Sequence, residues 1–266
     1  MRELGHEAGS PPGGDTDPAR IVPADCVTIA NALCGFFAIV VVVHVVLTDP
    51  TALAEGVDRQ VLNMAGSLIL AGTVCDVADG AAARRWGSGP LGWSLDAMAD
   101  VLTFGVAPAM LLAVEAATHP APWAGLLLAA GAVYLVAIMI RLARNEAMKR
   151  DSCTAFHGVT SPVGGAGLLA VVACGAGPAP TLAATLGLAG LMVGPFRYPH
   201  QSDPFAATLL VAAWLLAAGA LAGVLSLRVL AASAVLVILL SPLLLADRVR
   251  RVPRRAGALE RRKAPA

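Results

Sequence analysis

Charged side chains are scarce in this sequence. Of its 266 residues only 14% are Asp, Glu, Lys or Arg, whereas 57% are hydrophobic, and the mean hydropathy is +0.73. A soluble domain of this length cannot bury so much apolar surface. The chain is therefore predicted to be an all-α, polytopic integral membrane protein. Its charges lie mainly in loops and tails and sum to only +1, so they give no indication of nucleic-acid binding.

Other features are also missing. The five cysteines form no Cys-x-x-Cys pair, which disfavours a redox or metal role for them. No internal repeat is visible, which disfavours an inverted-repeat transporter. Residues 1–20 lack the basic start and apolar core of a secretory signal and are rich in Gly, Pro, Asp and Glu, so we expect a disordered cytoplasmic tail.

Apolar runs recur along the chain, most of them near the length of about 20 residues that crosses the hydrocarbon core of a bilayer. About eight spans are predicted by this criterion. They cover residues 26–47, 60–83, 93–114, 123–141, 162–177, 181–196, 205–225 and 229–245.

Basic residues predict the orientation of these spans. They follow the even-numbered spans, in the order Arg84 and Arg85, then Arg141, Arg144, Lys149 and Arg150, then Arg197, then the arginines of residues 248–255. The loops that follow odd-numbered spans are poor in Lys and Arg. By the positive-inside rule, both termini face the cytoplasm.

Four carboxylates interrupt the apolar pattern, namely Asp76, Asp79, Asp96 and Asp100. An ionised side chain inside a bilayer costs at least about 2.5 kcal/mol, so four together need a compensating charge, which a divalent cation can supply. Residues three or four apart share one face of a helix, so each pair is expected on one face of its own helix. Carboxylate oxygens suit Mg²⁺ or Mn²⁺, and Mg²⁺ is usually shared with substrate phosphates.

The residues after the first pair fit a phosphorylated ligand. Gly80 and Ala83 have almost no side chain and let a bulky ligand approach the backbone, and Arg84 can hold a phosphate through its planar guanidinium. Small residues also permit close packing of membrane helices. For Gly80 and Ala83 the sequence leaves both interpretations open.

These residues form a pattern that resembles the signature of the CDP-alcohol phosphotransferases, integral membrane enzymes that make phospholipids. The pattern is Asp76-x-x-Asp79-Gly80-x-x-Ala83-Arg84 followed by Gly92-x-x-x-Asp96-x-x-x-Asp100. The turn between Arg84 and Gly92 is one residue shorter than is usual in the family. Three other stretches are similar to the phosphatidylserine synthase branch: TFGVAP after Asp100, RLARN at residues 141–145, and FHGVTSP at residues 156–162, which resembles FxGLPxP with Thr160 in place of a proline.

The resemblance implies a six-helix catalytic core at residues 21–200, with an additional helix pair at 201–247 and a basic cytoplasmic tail at 248–266. It implies that the lipid CDP-diacylglycerol donates a phosphatidyl group to L-serine and that CMP leaves. It further implies Mg²⁺ or Mn²⁺, expected as a pair of ions, and a homodimer in the plasma membrane. The active site is expected to face the cytoplasm.

Roles for individual residues follow from the same resemblance. The metal ligands are expected to be the four aspartates, with Asp100 also acting as the general base. The residues expected to bind CDP-diacylglycerol are Asp79, Gly80, Ala83, Arg84 and Gly92. Because serine carries a carboxylate, its pocket should contain a fixed cation. The candidates for acceptor binding are Arg141, Arg144 and Asn31, and Asn31 is equally compatible with a helix-to-helix hydrogen bond.

Two alternatives remain open. Another transferase of this family could use glycerol 3-phosphate or an inositol phosphate as the acceptor, and would need more basic residues around the pocket. A cation transporter could use intramembrane aspartates as its pathway, and its carboxylates would be spread along the membrane depth.

Overall fold

The computed structural model describes residues 21–48, 59–87, 89, 91–150, 156–194 and 197–198. Within these ranges the chain is helical apart from short connections and one pairing of two-residue strands. The helices are α1 (Pro23–Thr48), α2 (Arg59–Trp86), α3 (Gly92–Asp100), a π-helical segment (Val101–Val106), α4 (Ala107–Ala117), α5 (Ala121–Arg150), α6 (Ser161–Cys174) and α7 (Pro178–Val193). Strand β1 (Phe156–His157) pairs antiparallel with β2 (Arg197–Tyr198).

Four helical stretches of the described chain are long and apolar enough to cross a membrane. They are Pro23–Thr48, Gln60–Trp86, Gly92–Ala117 and Ala121–Ala147, and the third runs continuously through α3, the π-helical segment and α4. Helices α6 and α7 are shorter and apolar. The predicted all-α, polytopic membrane fold is confirmed. The last two predicted spans and both predicted tails lie outside the described residues.

Helix α1 has small and polar residues on the side buried in the protein and large apolar residues on the exposed side. Its buried positions recur every three or four residues and are small or polar, among them Thr28, Asn31 and Gly35. Phe36 and Phe37, on the other side, are each about half exposed. Lipid chains are as apolar as these side chains, so the exposed phenylalanines suit a bilayer, whereas polar groups must find partners within the protein.

Three glycines let other helices approach the π-helical segment closely. A Cβ atom on Gly35 of α1 would lie 2.7 Å from Cα of Thr103, and one on Gly72 of α2 would collide with the Thr103 side chain. At the next residue of the segment, a Cβ on Gly165 of α6 would lie 3.0 Å from Cα of Phe104. The Thr103 hydroxyl also donates a hydrogen bond of 2.8 Å to the carbonyl of Asn31. The segment is therefore held between α1, α2 and α6.

A proline explains one further contact of this segment. In an α-helix the carbonyl of Phe104 would accept a hydrogen bond from the nitrogen of residue 108, but that residue is Pro108 and has no N–H. The buried hydroxyl of Tyr134, on α5, donates to this carbonyl at 2.7 Å. The irregular turn directly after Asp100 is thus stabilised by a hydrogen bond from a neighbouring helix, and π-helical turns are frequent at functional sites.

Several predicted boundaries were wrong by a few residues. Residues 178–180, Pro-Ala-Pro, were expected to separate two spans, but they form the first turn of α7. Proline is tolerated there because the first N–H groups of a helix have no partner within it. Helix α6 ends at Cys174, before Gly175 with a φ of +54°. Helix α5 continues past Arg141 to Arg150.

Candidate active site

Three carboxylates from two helices meet in one cluster. Asp76 lies on α2, and Asp96 and Asp100 lie one turn apart on α3, which places the latter two on one face. One carboxylate oxygen of each lies within 4.8 Å of the corresponding oxygens of the other two. Asp100 is buried, while Asp76 and Asp96 are partly exposed. The cluster therefore combines a protected carboxylate with two that a ligand can reach.

Neighbouring helices fix the carboxylate of Asp100 from two sides. Its Oδ2 accepts a hydrogen bond of 2.6 Å from the hydroxyl of Ser161, the first residue of α6. Its Oδ1 lies 3.4 Å from the side-chain nitrogen of Asn31 on α1. Ser161 in turn accepts a hydrogen bond from a terminal guanidinium nitrogen of Arg141 on α5. A buried chain thus runs from Arg141 through Ser161 to Asp100.

The two arginines predicted to bind the acceptor lie in different surroundings. Arg141 is only 6% exposed, and its Nε has no hydrogen-bond partner among the described residues. Arg144 is exposed and donates to the carbonyl of Val193 at 2.9 Å. The structure therefore brings Arg141 to the acidic cluster and gives Arg144 a contact with α7.

Two asparagines contribute buried oxygens without partners. The side-chain oxygens of Asn31 and Asn145 make no hydrogen bond to any described residue. Asn145 lies one turn after Arg141, on the same face of α5. The side-chain oxygen of Asn31 faces α2, since a Cβ on Gly72 would lie 2.8 Å from it, whereas its nitrogen faces Asp100. Beside Asp100, Asn31 and Arg141 thus each keep one side-chain atom without a partner among the described residues.

Asp79 is not part of the three-carboxylate cluster. It is buried, and its Oδ2 accepts a hydrogen bond of 2.8 Å from the hydroxyl of Thr28 on α1. Next to it, a Cβ on Gly80 would meet only a guanidinium nitrogen of Arg84, at 3.6 Å, among the described residues. Arg84 is exposed and Ala83 is half-buried. Space for a ligand therefore remains over Gly80, beside the arginine.

Gly92, the last residue of the predicted donor-binding set, packs against a carboxylate that sequence reasoning missed. A Cβ at this position would lie 3.1 Å from Oδ1 of Asp25. Asp25 is 1% exposed, and its Oδ2 accepts a hydrogen bond of 2.9 Å from the backbone N–H of Val22, before α1 begins. Gly92 thus allows the start of α3 to lie close to the start of α1.

The donor set of the cluster fits a hard divalent cation. Three carboxylates that approach one another this closely repel, and Mg²⁺ or Mn²⁺ is the kind of ion that carboxylate oxygens prefer. The groups of Asp76, Asp96 and Asp100 could bind one ion together. The expected role of Asp79 as a fourth ligand stays a prediction.

Ser161 is the site residue least expected from the sequence. It is separated from Asp100 by about 60 residues and lies in FHGVTSP, at a variable position of the motif that this stretch resembles. A lone serine in a Gly- and Pro-rich stretch has no periodicity that would assign it to a site. Its role depends on how α6 packs against α3 and α5.

The fold and the cluster together define a polytopic helical membrane protein with an acidic site suited to a divalent cation. The sequence profile of the CDP-alcohol phosphatidyltransferase family matches residues 22–218. The chain belongs to this family.

Curated relatives agree with this assignment. The chain is 31% identical over 189 residues to the CDP-diacylglycerol–serine O-phosphatidyltransferase of Bacillus subtilis (strain 168), a match that covers 71% of this chain and 96% of that protein. It is 34% identical over 115 residues to the enzyme of the same name from Mycobacterium leprae (strain TN), covering 40% of this chain and 37% of the relative. The protein of the same name from Mycobacterium tuberculosis (strain ATCC 25618 / H37Rv) is 32% identical over 115 residues, covering 40% of this chain and 38% of the relative.

Proposed function

We propose that this protein transfers a phosphatidyl group from CDP-diacylglycerol to the hydroxyl of L-serine and releases CMP. The observation that carries the proposal is the cluster of Asp76, Asp96 and Asp100, whose most buried member is linked through Ser161 to Arg141. The cluster supplies the negative groups that a metal-dependent reaction of a diphosphate needs. The name of the relatives that match the chain supports serine as the acceptor.

In this proposal the four aspartates hold Mg²⁺ or Mn²⁺ as a pair of ions. A metal held there would supply positive charge that neutralises the diphosphate and favours the departure of CMP. Asp79, Gly80, Ala83, Arg84 and Gly92 bind the donor, and the open space beside Gly80 and Arg84 supports a phosphate there.

Asp100 acts as the general base. The serine oxygen forms a bond to the phosphorus that carries diacylglycerol, and the bond between that phosphorus and the bridging oxygen of the diphosphate breaks. The hydroxyl proton passes to Asp100, and the bridging oxygen leaves with CMP. Each carboxylate oxygen has two lone pairs, so Asp100 keeps capacity to accept a proton besides its contacts with Ser161 and Asn31.

The acceptor pocket is proposed to include Arg141, Asn31 and, less directly, Arg144. A free serine has a carboxylate that requires donors and an ammonium group that requires acceptors. The unpaired Nε of Arg141 suits the carboxylate. Asn31 is included because its side chain contacts Asp100, the proposed base. Arg144 is the weaker candidate because it is exposed and contacts Val193.

The wider arrangement is also a proposal. We propose that the site faces the cytoplasm of a plasma membrane and that the chain forms a homodimer. Residues 21–200 would form the catalytic core, followed by a helix pair and a basic tail at 201–247 and 248–266. The distribution of Arg and Lys supports the orientation.

The alternatives predict different structures. An acceptor with an additional phosphate calls for several basic residues at the cluster, whereas Arg141 is the one buried arginine among the residues whose side chains the structure describes. A cation pathway calls for carboxylates spread along the membrane depth, whereas Asp76, Asp96 and Asp100 lie within 4.8 Å of one another.

Release of CMP by the purified protein tests the proposal. The protein is incubated with CDP-diacylglycerol and, separately, with L-serine, glycerol 3-phosphate and an inositol phosphate. Serine should support CMP release, excess EDTA should abolish it, and Mn²⁺ or Mg²⁺ should restore it. Release with a phosphorylated acceptor but not with serine would disprove the serine assignment, and full activity in EDTA would disprove the metal-dependent mechanism.

A further inference from the structure

We infer that Ser161 is a positioning residue that holds the carboxylate of Asp100 and the guanidinium of Arg141 in a fixed relation. This inference rests on the proposed function, because it concerns the base and the acceptor-binding cation of that reaction. The motif that residues 156–162 resemble leaves position 161 open, so the resemblance assigns no role to this serine.

The hydrogen bonds that join Arg141, Ser161 and Asp100 can run in one direction only, from the guanidinium through the hydroxyl to the carboxylate. A guanidinium can only donate, so the oxygen of Ser161 accepts from Arg141. The single hydroxyl proton of Ser161 is then available for Oδ2 of Asp100, at 2.6 Å. Ser161 is 1% exposed, so water does not compete for either bond. Ser161 thus orients the carboxylate of Asp100 through Oδ2, whereas Asn31 contacts Oδ1.

The position of Ser161 at the start of α6 makes this contact rigid. The residue is the first of the helix, Thr160 precedes it as the N-cap, and Pro162 follows in the first turn. Gly165, one turn later, packs directly on Phe104 of the π-helical segment. Helix α6 therefore contacts the third span at Asp100 and again at Phe104, which restricts movement of the hydroxyl relative to the carboxylate.

The same contact sets the geometry of acceptor binding. Ser161 occupies one terminal nitrogen of Arg141 and leaves Nε without a partner among the described residues. In free serine the carboxylate and the hydroxyl are separated by only two carbon atoms. A cation that binds the carboxylate and a base that receives the hydroxyl proton must therefore be held close together, and Ser161 is the residue that joins them.

Kinetics of Ser161→Ala and Ser161→Thr test the role in turnover. Losing a hydrogen bond to a charged group should lower kcat for serine by about tenfold or more, while the KM for CDP-diacylglycerol stays unchanged. Ser161→Thr keeps the hydroxyl and should recover most of kcat. Thr185→Ala is the matched control, because Thr185 is fully buried but its hydroxyl bonds only within α7, to the carbonyl of Thr181. Wild-type kcat in Ser161→Ala, or an equal loss in Thr185→Ala, would overturn the inference.

A double-mutant cycle in metal-free protein tests the contact itself without any turnover. Thermal unfolding is measured in EDTA for wild type, Ser161→Ala, Asp100→Ala and the double variant. If the two side chains are bonded, the shift of Tm in the double variant should differ from the sum of the single shifts. Additive shifts would overturn the inference. A wild-type protein that releases no CMP would instead disprove the proposed function, and the cycle would still decide whether Ser161 holds Asp100.

Discussion

Asp100 differs from the other carboxylates of the cluster in how its position is determined. Residues of α1 and α6 contact its two oxygens, while Asp76 and Asp96 are partly exposed. A base must be oriented toward the proton it removes, whereas a metal ligand is also positioned by the ion that it binds. If Asp100 is the base and Asp76 a metal ligand, as proposed, substitutions at the two positions should have different effects.

Replacing Asp100 by Asn should remove turnover while leaving metal binding largely intact. The amide keeps the shape of the carboxylate but cannot accept the hydroxyl proton, and general-base catalysis typically contributes about 10²- to 10⁴-fold. Asp76→Asn, the comparison variant, should instead lower the affinity for Mn²⁺. CMP release and Mn²⁺ binding by electron paramagnetic resonance measure the two effects. Equal losses of Mn²⁺ affinity would mean that Asp100 is primarily a ligand.

Arg141 and Arg144 form a matched pair for testing the acceptor site. Truncating one partner of a buried charge pair costs about 2 to 5 kcal/mol, so Arg141→Ala should raise the KM for serine at least about thirtyfold. Its kcat should also fall, because Ser161 loses a partner. Arg141→Lys should recover only part of the loss, since an ammonium group lacks the planar fork. Steady-state kinetics with varied serine should show little change for Arg144→Ala, and a larger effect there would place the carboxylate at Arg144.

For individual residues, the sequence predicted well which types of side chain the candidate site contains, but it predicted poorly which of them contact one another. The spacing of Asp96 and Asp100 sufficed to place them together, because four residues make about one helical turn. Ser161 reaches the site only through the packing of α6 against α3 and α5, which no local pattern encodes. For the same reason the sequence could not distinguish Arg141 from Arg144, although the two lie within one helical turn of each other.

Among the helical elements, the π-helical segment is the one that joins the acidic cluster to the close helix contacts of the bundle. It follows Asp100 directly, and its backbone lies against glycines of α1 and α6. A wider helical turn changes the direction in which all later side chains point, so its contacts determine how α4 continues. The glycines at its surface are therefore required for close packing, not only for flexibility.

Gly35→Ala should destabilise the protein, whereas Gly190→Ala should not. The Cβ added at position 35 would meet the backbone of Thr103, which cannot move aside, and overpacking typically costs about 1 to 3 kcal/mol. Gly190 lies on the exposed side of α7, and no described residue lies within 4 Å of a Cβ added there. Thermal unfolding in detergent measures both variants. An unchanged Tm for Gly35→Ala would mean that α1 can shift away from the segment.

The sequence predicted the existence of these elements better than their ends. Hydropathy located α1 to α7, because a membrane-crossing helix must be apolar over most of its length. It could not reveal that the third span contains a π-helical segment, since TFGV is compatible with a regular helix. Pro108 was the one residue whose type indicated an irregular turn, because it lacks the N–H that would bond the carbonyl of Phe104. The hydrogen bond that Tyr134 of α5 donates to this carbonyl could not be predicted from the local sequence.

For the whole molecule, the acidic cluster lies toward one end of the bundle. Asp96 and Asp100 follow the start of α3, and Asp76 lies in the second half of α2, so both helices bring their carboxylates toward the connection between them. The other end of the third span leads to the connection between α4 and α5. Orientation of the chain therefore decides which compartment supplies the substrates.

Labelling of single cysteines should reveal this orientation. In a chain whose five native cysteines are replaced, Trp86→Cys marks the end of α2 and Ala121→Cys marks the start of α5, and both positions are exposed. The positive-inside rule predicts that a membrane-impermeant maleimide added to intact cells labels the Ala121→Cys variant but not the Trp86→Cys variant. Retained CMP release verifies the background chain. The reverse labelling pattern would place the site on the outer side.

The order of the chain has a consequence for its synthesis on the ribosome. Asp76, Asp96 and Asp100 all belong to α2 and α3, whereas Arg141 and Ser161 follow on α5 and α6. Chains grow at about 5 to 20 residues per second, so the roughly 40 residues between Asp100 and Arg141 take about 2 to 8 seconds. During that interval the carboxylates of α2 and α3 have been synthesised, and the arginine that lies beside them in the folded protein has not. The contacts among Asp100, Ser161 and Arg141 can therefore form only after α5 and α6 have been added to the chain.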